Sequence, residues 1–223
     1  PPASVWVLDP KPSDWLQGQG VHLNEDLPAD PAIVLIAVKP QMMGEALPRI
    51  AALGGGDTLF VSVAAGTPIR AYEEILGAAS PVIRAMPNTP AAVNRGITAL
   101  IGNARVGEAQ MALAEALLSA VGQTVRLENE GQMDAVTAVS GSGPAYVFHL
   151  IENLAAARAT VGGAGQLAET AGEDPAQLRV NVTSPGGTTA AALNVLMDEE
   201  SGFPALLKRA VKAAADRSRE LAG

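Results

Sequence analysis

The first half of the chain alternates short apolar runs with stretches that suit helices. Residues 4–8 end in Asp9-Pro10, residues 32–38 form a nearly continuous apolar run, and residues 58–63 repeat the pattern before Ala64-Ala65-Gly66. Runs that are apolar on both faces suit the buried strands of a parallel sheet. Weaker strand signals lie at residues 81–84, 96–101 and 124–127, and helical ones at 41–53, 68–76 and 107–121. This β-α alternation predicts the α/β class, a Rossmann-like doubly wound parallel sheet over residues 1–128.

Beyond Glu128 the period changes. Residues 133–154, 166–168, 189–197 and 203–221 read as helices, the last with Phe203, Leu206, Leu207, Ala210, Val211 and Ala214 on one stripe. Residues 129–223 are therefore predicted as an all-helical domain. Its alanine and glycine content lets helices approach closely, within one chain or across a dimer.

Composition narrows the possible chemistry. The 223 residues are 48% hydrophobic and 17% charged, enough for two modest folded domains. A net charge of −8 repels phosphate backbones, so nucleic acid is not an expected partner. Cysteine is absent, which removes disulfides and thiolate nucleophiles and is ordinary for a cytoplasmic protein. The two histidines, His22 and His149, are too far apart in sequence for ligand spacing, and no metal site is expected. No apolar run reaches membrane-spanning length, and neither a signal peptide nor a membrane partner is expected.

In open α/β sheets, ligands bind outside the carboxyl ends of the strands. Three such ends stand out: Ala37-Val38-Lys39-Pro40, Ala64-Ala65-Gly66-Thr67 and Met86-Pro87-Asn88-Thr89-Pro90. Small residues there let a flat ring lie against the backbone, and Lys39 can approach a phosphate or ribose; each segment taken singly could also be an ordinary turn. In the helical half, Thr183-Ser184-Pro185-Gly186-Gly187-Thr188-Thr189 leads into an alanine-rich helix. A helix start with bare amides favours a carboxylate, although a simple capped helix has the same sequence signature. Ser140-Gly141-Ser142-Gly143-Pro144-Ala145-Tyr146 interrupts a long helical pattern and should kink or break it.

Together, Val38-Lys39-Pro40, the segment 86–90, the segment 140–146 and Asn181-Val182-Thr183-Ser184-Pro185-Gly186-Gly187-Thr188-Thr189 resemble the pyrroline-5-carboxylate reductase family in order and spacing. The resemblance implies NADPH or NADH as cofactor and 1-pyrroline-5-carboxylate as a small-molecule substrate reduced to proline, in a dimer or an oligomer of dimers. By position it implies cofactor contacts from Asn24, Ala37, Val38, Lys39, Pro40 and Ala65, with Asn181 reaching the nicotinamide. It places the substrate against Thr183, Ser184, Gly187, Thr188 and Thr189, with Thr189 as the catalytic hydroxyl. The pocket would lie between one subunit's nucleotide domain and a helical domain shared by two.

Two family features are missing from these 223 residues. One is the opening strand with its Gly-x-Gly-x-x-Gly turn. The other is a turn and much of a helix near Ala157-Arg158, where a seam is expected. The expectation is that the complete protein carries both. Asp9 resembles the strand-end acid that binds an adenosine ribose, whereas Lys11 and Ser13 could take a 2′-phosphate, which leaves the cofactor preference open. His149 is expected to be a packed, hydrogen-bonded side chain, and Asp198-Glu199-Glu200 a solvated helix end. The competing functions are a non-catalytic dimeric module on the same scaffold and a β-hydroxyacid dehydrogenase. The latter needs a lysine on its central helix, and none occurs between Lys39 and Lys208.

Overall fold

The computed structural model describes residues 2–153 and 157–222. Strands β1 (Trp6–Val7) and β2 (His22–Leu23) form a small parallel pair, with the Trp6 ring stacked on His22 at 4.5 Å. A second sheet runs in the order β3 (Ile33–Ile36), β4 (Leu59–Ser62), β5 (Val82–Met86), β6 (Gly96–Gly102) and β7 (Gly122–Arg126). No strand pairing joins the two sheets among the described residues, so β1 and β3 each keep one unpaired edge.

Side chains alternate across the second sheet, and each face buries its own set. Ile36, Phe60 and Val82 pack with Met43 and Leu47 of α2 (Met43–Ile50) and Tyr72 and Leu76 of α3 (Ile69–Leu76). Leu59, Val61, Ile83 and Leu100 pack on the opposite face against Ala114 and Leu118 of α4 (Glu108–Leu118). Each large apolar side chain fully buried in this way contributes about 1.5–3 kcal/mol. Burial of β4 on both faces explains why residues 58–63 read as a nearly continuous apolar run, whereas in β3 Leu35 is exposed at the sheet edge.

The sheet is parallel-dominated, as expected, with one reversed pairing. Strands β3, β4 and β5 are parallel, but β6 runs antiparallel to β5, and β7 is parallel to β6. The physical reason is length: residues 87–95 hold only a short 3₁₀ turn, Thr89–Val93, whereas a parallel crossover needs about a dozen residues or more. The fold remains a parallel-dominated Rossmann-like sheet followed by helices.

The helical half contains α5 (Met133–Val136), a π turn (Thr137–Gly141), α6 (Gly143–Asn153), α7 (Ala157–Thr170), α8 (Pro175–Asn181), α9 (Thr188–Leu196) and α10 (Phe203–Ala222). The segment expected as one helix over 133–154 is thus interrupted near Gly141-Ser142-Gly143, and Leu154 lies outside the described residues. Residues 166–168 prove to be part of the much longer α7, whose first turn holds Ala157 and Arg158. Three elements had no expectation: α1 (Asp14–Gln17), capped by the Ser13 hydroxyl, β2, and α8, where Asp174 caps the helix and Pro175 opens it. That last pair is a standard helix-start signal.

Packing in this half is uneven. The second half of α10 lies on α5 and the π turn, where Met133 and Ala138 are fully buried and the Ser218 hydroxyl donates to Asp134 at 2.7 Å. By contrast Phe203, Leu206 and Leu207, half of the α10 stripe, are exposed, as are Phe148, Val182 and Val195. His149 corrects half of another expectation: it is hydrogen-bonded, but among the described residues its ring meets only Glu152, at 3.2 Å, and its side chain is 78% exposed, not packed. Asp198 accepts hydrogen bonds from the amides of Glu200 and Ser201 and from the Ser201 hydroxyl, which hold its carboxyl below the usual range and close the turn into α10.

Candidate active site

The register of the sheet brings two of the strand-end segments together. Ile36 lies opposite Ser62, and the Val63 amide donates to the Ile36 carbonyl at 3.1 Å, so Ala37 and Ala64-Ala65 emerge side by side. Ala37, Lys39, Pro40 and Ala65 are exposed there, while Val38 turns inward against the core. Lys39 is extended and caps the 3₁₀ turn Pro40–Met42 through its carbonyl. The loop continues through Gly66, whose φ of +75° disfavours other residues and whose missing Cβ would lie 3.3 Å from the Cβ of Leu221. The result is a shelf of small residues with a cation at one end. It fits a nicotinamide nucleotide, since the backbone can approach a flat ring and Lys39 a phosphate or ribose.

Asn24 sits at the end of β2 with a left-handed φ of 56°. Its side chain forms a double hydrogen bond with the backbone of Asp9, accepting from the amide at 3.0 Å and donating to the carbonyl at 2.9 Å. Asp9 in turn accepts from the Lys11 amide at 2.8 Å. The residue matched to a cofactor contact therefore also sets the backbone that presents Asp9.

The third strand end ties the sheet to the helical half. Asn88 accepts from the Ile97 amide at 3.0 Å and donates to the Ser140 hydroxyl at 3.3 Å. A Cβ on Gly141 would lie 2.6 Å from the Met86 methyl, so the π turn packs closely on the end of β5. Such π turns recur at functional sites. This one keeps its polar groups satisfied, with the Tyr146 phenol donating to the Ala138 carbonyl at 3.0 Å.

Below this edge lies a buried polar group that the sequence reading did not single out. Arg84 of β5, its side chain 5% exposed, donates to Glu130 at 2.9 Å, and the same carboxylate oxygen accepts the Ile69 amide at 2.9 Å. The Ser62 hydroxyl meets the Tyr72 phenol at 2.6 Å and accepts from the Ala64 amide at 3.2 Å. Burial raises the Tyr72 pKa, against hydrogen bonds to Ser62 and Thr67 and the charge of Arg84, which lower it. The only hint in the sequence is an arginine inside an apolar strand.

Among the described residues, no hydrogen bond joins the remaining site residues to this shelf. Every hydrogen bond of residues 181–189 among the described residues is local. Asn181 donates to Glu173 and accepts from Gln177, Thr183 donates to the Arg179 carbonyl, and the Gly187 amide donates to the Ser184 carbonyl. Gly187 starts α9 with no side-chain cap. A Cβ there would fall 2.5 Å from the Ser184 hydroxyl and 3.2 Å from its carbonyl oxygen, so a larger residue would have to turn the Ser184 side chain aside. The first-turn amides at Thr188 and Thr189 therefore remain available to an anion. Among the described residues, no cluster of His, Asp and Glu is arranged to hold a metal.

Comparison with known proteins decides the family. A family model described as "Pyrroline-5-carboxylate reductase dimerisation" matches residues 130–162 and 154–221, two segments that overlap across Ala157-Arg158. The pyrroline-5-carboxylate reductase of Pseudomonas aeruginosa is 44% identical over 217 residues, covering 91% of this chain and 79% of its own length. The chain belongs to the pyrroline-5-carboxylate reductase family. Structures agree with this. The reductase from Coxiella burnetii superposes with a TM-score of 0.89 at 34% identity, covering 98% of this chain and 88% of its own. The Plasmodium falciparum pyrroline carboxylate reductase, solved with NADP bound, gives 0.83 at 26% identity, with 98% and 87% covered. Family membership and the Rossmann-like order account for the shelf at the ends of β3 and β4.

Proposed function

We propose that the protein reduces 1-pyrroline-5-carboxylate to proline with NADPH or NADH. The observation that carries this reading is the 44% identity with a reductase over 91% of the chain. The geometry supports it, because a shelf suited to a dinucleotide and a separate uncapped helix start suited to a carboxylate are the two half-sites such a reaction needs. The test is oxidation of NADH and NADPH, followed in parallel with pyrroline-5-carboxylate as substrate. A non-catalytic module on this scaffold would give no turnover with either. A β-hydroxyacid dehydrogenase would instead need a central-helix lysine, which is absent between Lys39 and Lys208.

Ala37, Val38, Lys39, Pro40 and Ala65 would hold the cofactor, with Asn24 fixing the Asp9 end and Asn181 approaching from the helical half. When bound, the nicotinamide supplies hydride to the imine carbon. Ser184 and the first-turn amides of Thr188 and Thr189 would hold the substrate carboxylate. Gly187 would let it approach the turn while its own amide closes that turn on the Ser184 carbonyl. Thr183 steadies the turn through its bond to Arg179. Thr189 offers its hydroxyl to the ring nitrogen. The imine is itself electrophilic once protonated, so orientation dominates and no histidine or metal is required.

Lys39→Ala is expected to raise the Michaelis constant for the cofactor more than it lowers turnover, because a phosphate or ribose contact is present in ground and transition states alike. Steady-state kinetics at varied cofactor concentration check this, and an unchanged constant would remove Lys39 from the site.

Since no hydrogen bond among the described residues joins 181–189 to the shelf of the same chain, the complete pocket is assigned to a dimer. The exposed apolar residues Phe148, Val182, Val195, Phe203, Leu206 and Leu207 supply the contact. Light scattering at micromolar concentration should return at least twice the mass of one chain. A monomer would overturn the shared-site assignment. Residues 1–128 and 129–223 are taken as the nucleotide and helical domains, and the overlapping family matches at 154–162 support a seam near Ala157-Arg158.

A further inference from the structure

The buried cluster under the shelf has no place in the reaction as described so far. Glu130 opens the helical half, in the 3₁₀ turn Glu130–Gln132 that follows β7, yet its carboxylate reaches back to the sheet. One oxygen, Oε1, holds both the Arg84 guanidinium and the Ile69 amide, each at 2.9 Å. Ile69 is the first residue of α3, and the loop before it is the one that carries Ala65, Gly66 and Thr67. On its other side that loop is held by the Ser62 hydroxyl, which accepts from the Ala64 amide while meeting Tyr72. Ser62 and Arg84 are register partners on β4 and β5, so both clasps stand on one rigid stretch of sheet.

We propose that Glu130 is a positioning residue for hydride transfer, clamping the loop 64–68 to the first turn of the helical half through Arg84 and the Ile69 amide. The proposal rests on the reductase reading given above. Its logic is geometric. The shelf presents one reactant, and in the dimer the groups that present the other come from a helical layer docked on this chain's own helical half. The angle at which the shelf leaves that half therefore sets the distance between them. Efficient transfer tolerates little error there, since a displacement of ~1 Å can cost about 10²-fold. A charge-assisted bond to a buried guanidinium is stiff and directional. The other ion pair between these two parts, Arg95 with Glu169, is 60% and 50% exposed and cannot set such a distance. Arg84 and Glu130 do not touch the shelf surface, so they act through the loop and not on the reactants.

Reach and charge can be separated by two variants. Glu130→Asp keeps the charge but withdraws it by one methylene, so it cannot bond both Arg84 and the Ile69 amide from the same backbone. Glu130→Gln keeps the reach and the acceptor and removes only the charge. We expect Glu130→Asp to lower turnover about 10- to 100-fold, with little change in either Michaelis constant. The primary deuterium isotope effect from 4-deuterated cofactor should be larger in this variant, as hydride transfer becomes the slow step. Glu130→Gln, which keeps the reach but loses the charge assistance that stiffens the clamp, should fall between the parent and Glu130→Asp in turnover and melt at a lower temperature, because Arg84 is left buried without its counter-charge. Arg84→Lys, which keeps a buried cation and loses the planar fork, should move in the same direction as Glu130→Asp.

A purely structural role predicts changed melting temperatures with turnover and isotope effect unmoved in the folded fraction. Parental turnover and isotope effect in Glu130→Asp and Arg84→Lys would overturn the proposal while leaving the reductase reading intact. A parent protein that oxidises neither nucleotide with pyrroline-5-carboxylate would overturn both.

Discussion

Thr189→Ala should lower turnover by roughly 10- to 1,000-fold while cofactor affinity barely moves; a positioned acid-base contact contributes up to about 10⁴, and the protonated imine offsets part of that. Thr189 is the second residue of α9, half-buried, in a first turn that no side chain caps. On the proposed assignment, Ser184 and the neighbouring amides would hold the carboxylate, and the Thr189 hydroxyl would share a hydrogen bond with the ring nitrogen as that atom becomes an amine. The contact strengthens along the reaction, so its loss should appear in turnover and not in cofactor binding. Thr189→Ser keeps the hydroxyl but loses the methyl that restricts its rotamer, and should retain much more activity than Thr189→Ala. The measurement is turnover at saturating substrate for the three proteins. Equal rates for parent and Thr189→Ala would leave orientation to the carboxylate cradle alone.

The largest loss of stability is expected from Gly122→Ala. Gly122 begins β7 at φ 148°, outside the ordinary range of L-residues, and pairs with Gly96 of β6. A Cβ there would lie 2.0 Å from the Gly96 carbonyl oxygen and 2.5 Å from its carbon, both backbone atoms that cannot swing away. Either the two strands separate at their first pair or the backbone of β7 rotates and loses its register. Strain of this kind belongs to the severe class, about 3–5 kcal/mol. In a protein of this size that is a fall of about 6–20 °C in the melting midpoint. Calorimetry or thermal circular dichroism decides the point, and a midpoint within about 2 °C of the parent would show that the strand end yields more easily than this packing implies.

The central strands β4 and β5 were legible because both faces are buried, and the largely apolar stretches at 59–62 and 82–86, broken only by Ser62 and Arg84, carry that signal directly. Their direction was not, since apolarity is the same read either way along a strand. Only the short connection after Met86 could have revealed that β6 reverses. Residues 166–168 gave too small a helix because Gly162, Gly163 and Gly165 dilute the pattern, and residues 22–23 were too few to carry one. The shelf was legible for a different reason: strand ends in such sheets are where ligands bind, so Ala37, Lys39 and Ala65 could be named from position alone. The clamp was not, because Arg84 and Glu130 lie 46 positions apart and nothing in either neighbourhood points to the other. His149 was misread for the opposite reason. Its apolar surroundings implied burial, but apolar residues on α6 face a surface the single chain does not cover.

The π turn at Thr137–Gly141 has a consequence for how tolerant this protein is to changes in length. Each residue of a helix turns it by about 100°, so the wide turn, closed by the Ser142 amide on the Thr137 carbonyl at 2.8 Å, fixes the azimuth of everything that follows. Removing one residue there would tighten the turn to an ordinary α-helix with every backbone bond still made. It would also swing the Val147, Phe148 and Leu150 side of α6 about a quarter-turn or more around its axis, away from the direction it now faces. Point substitutions in this stretch change a contact; a single deletion would change which way the molecule faces.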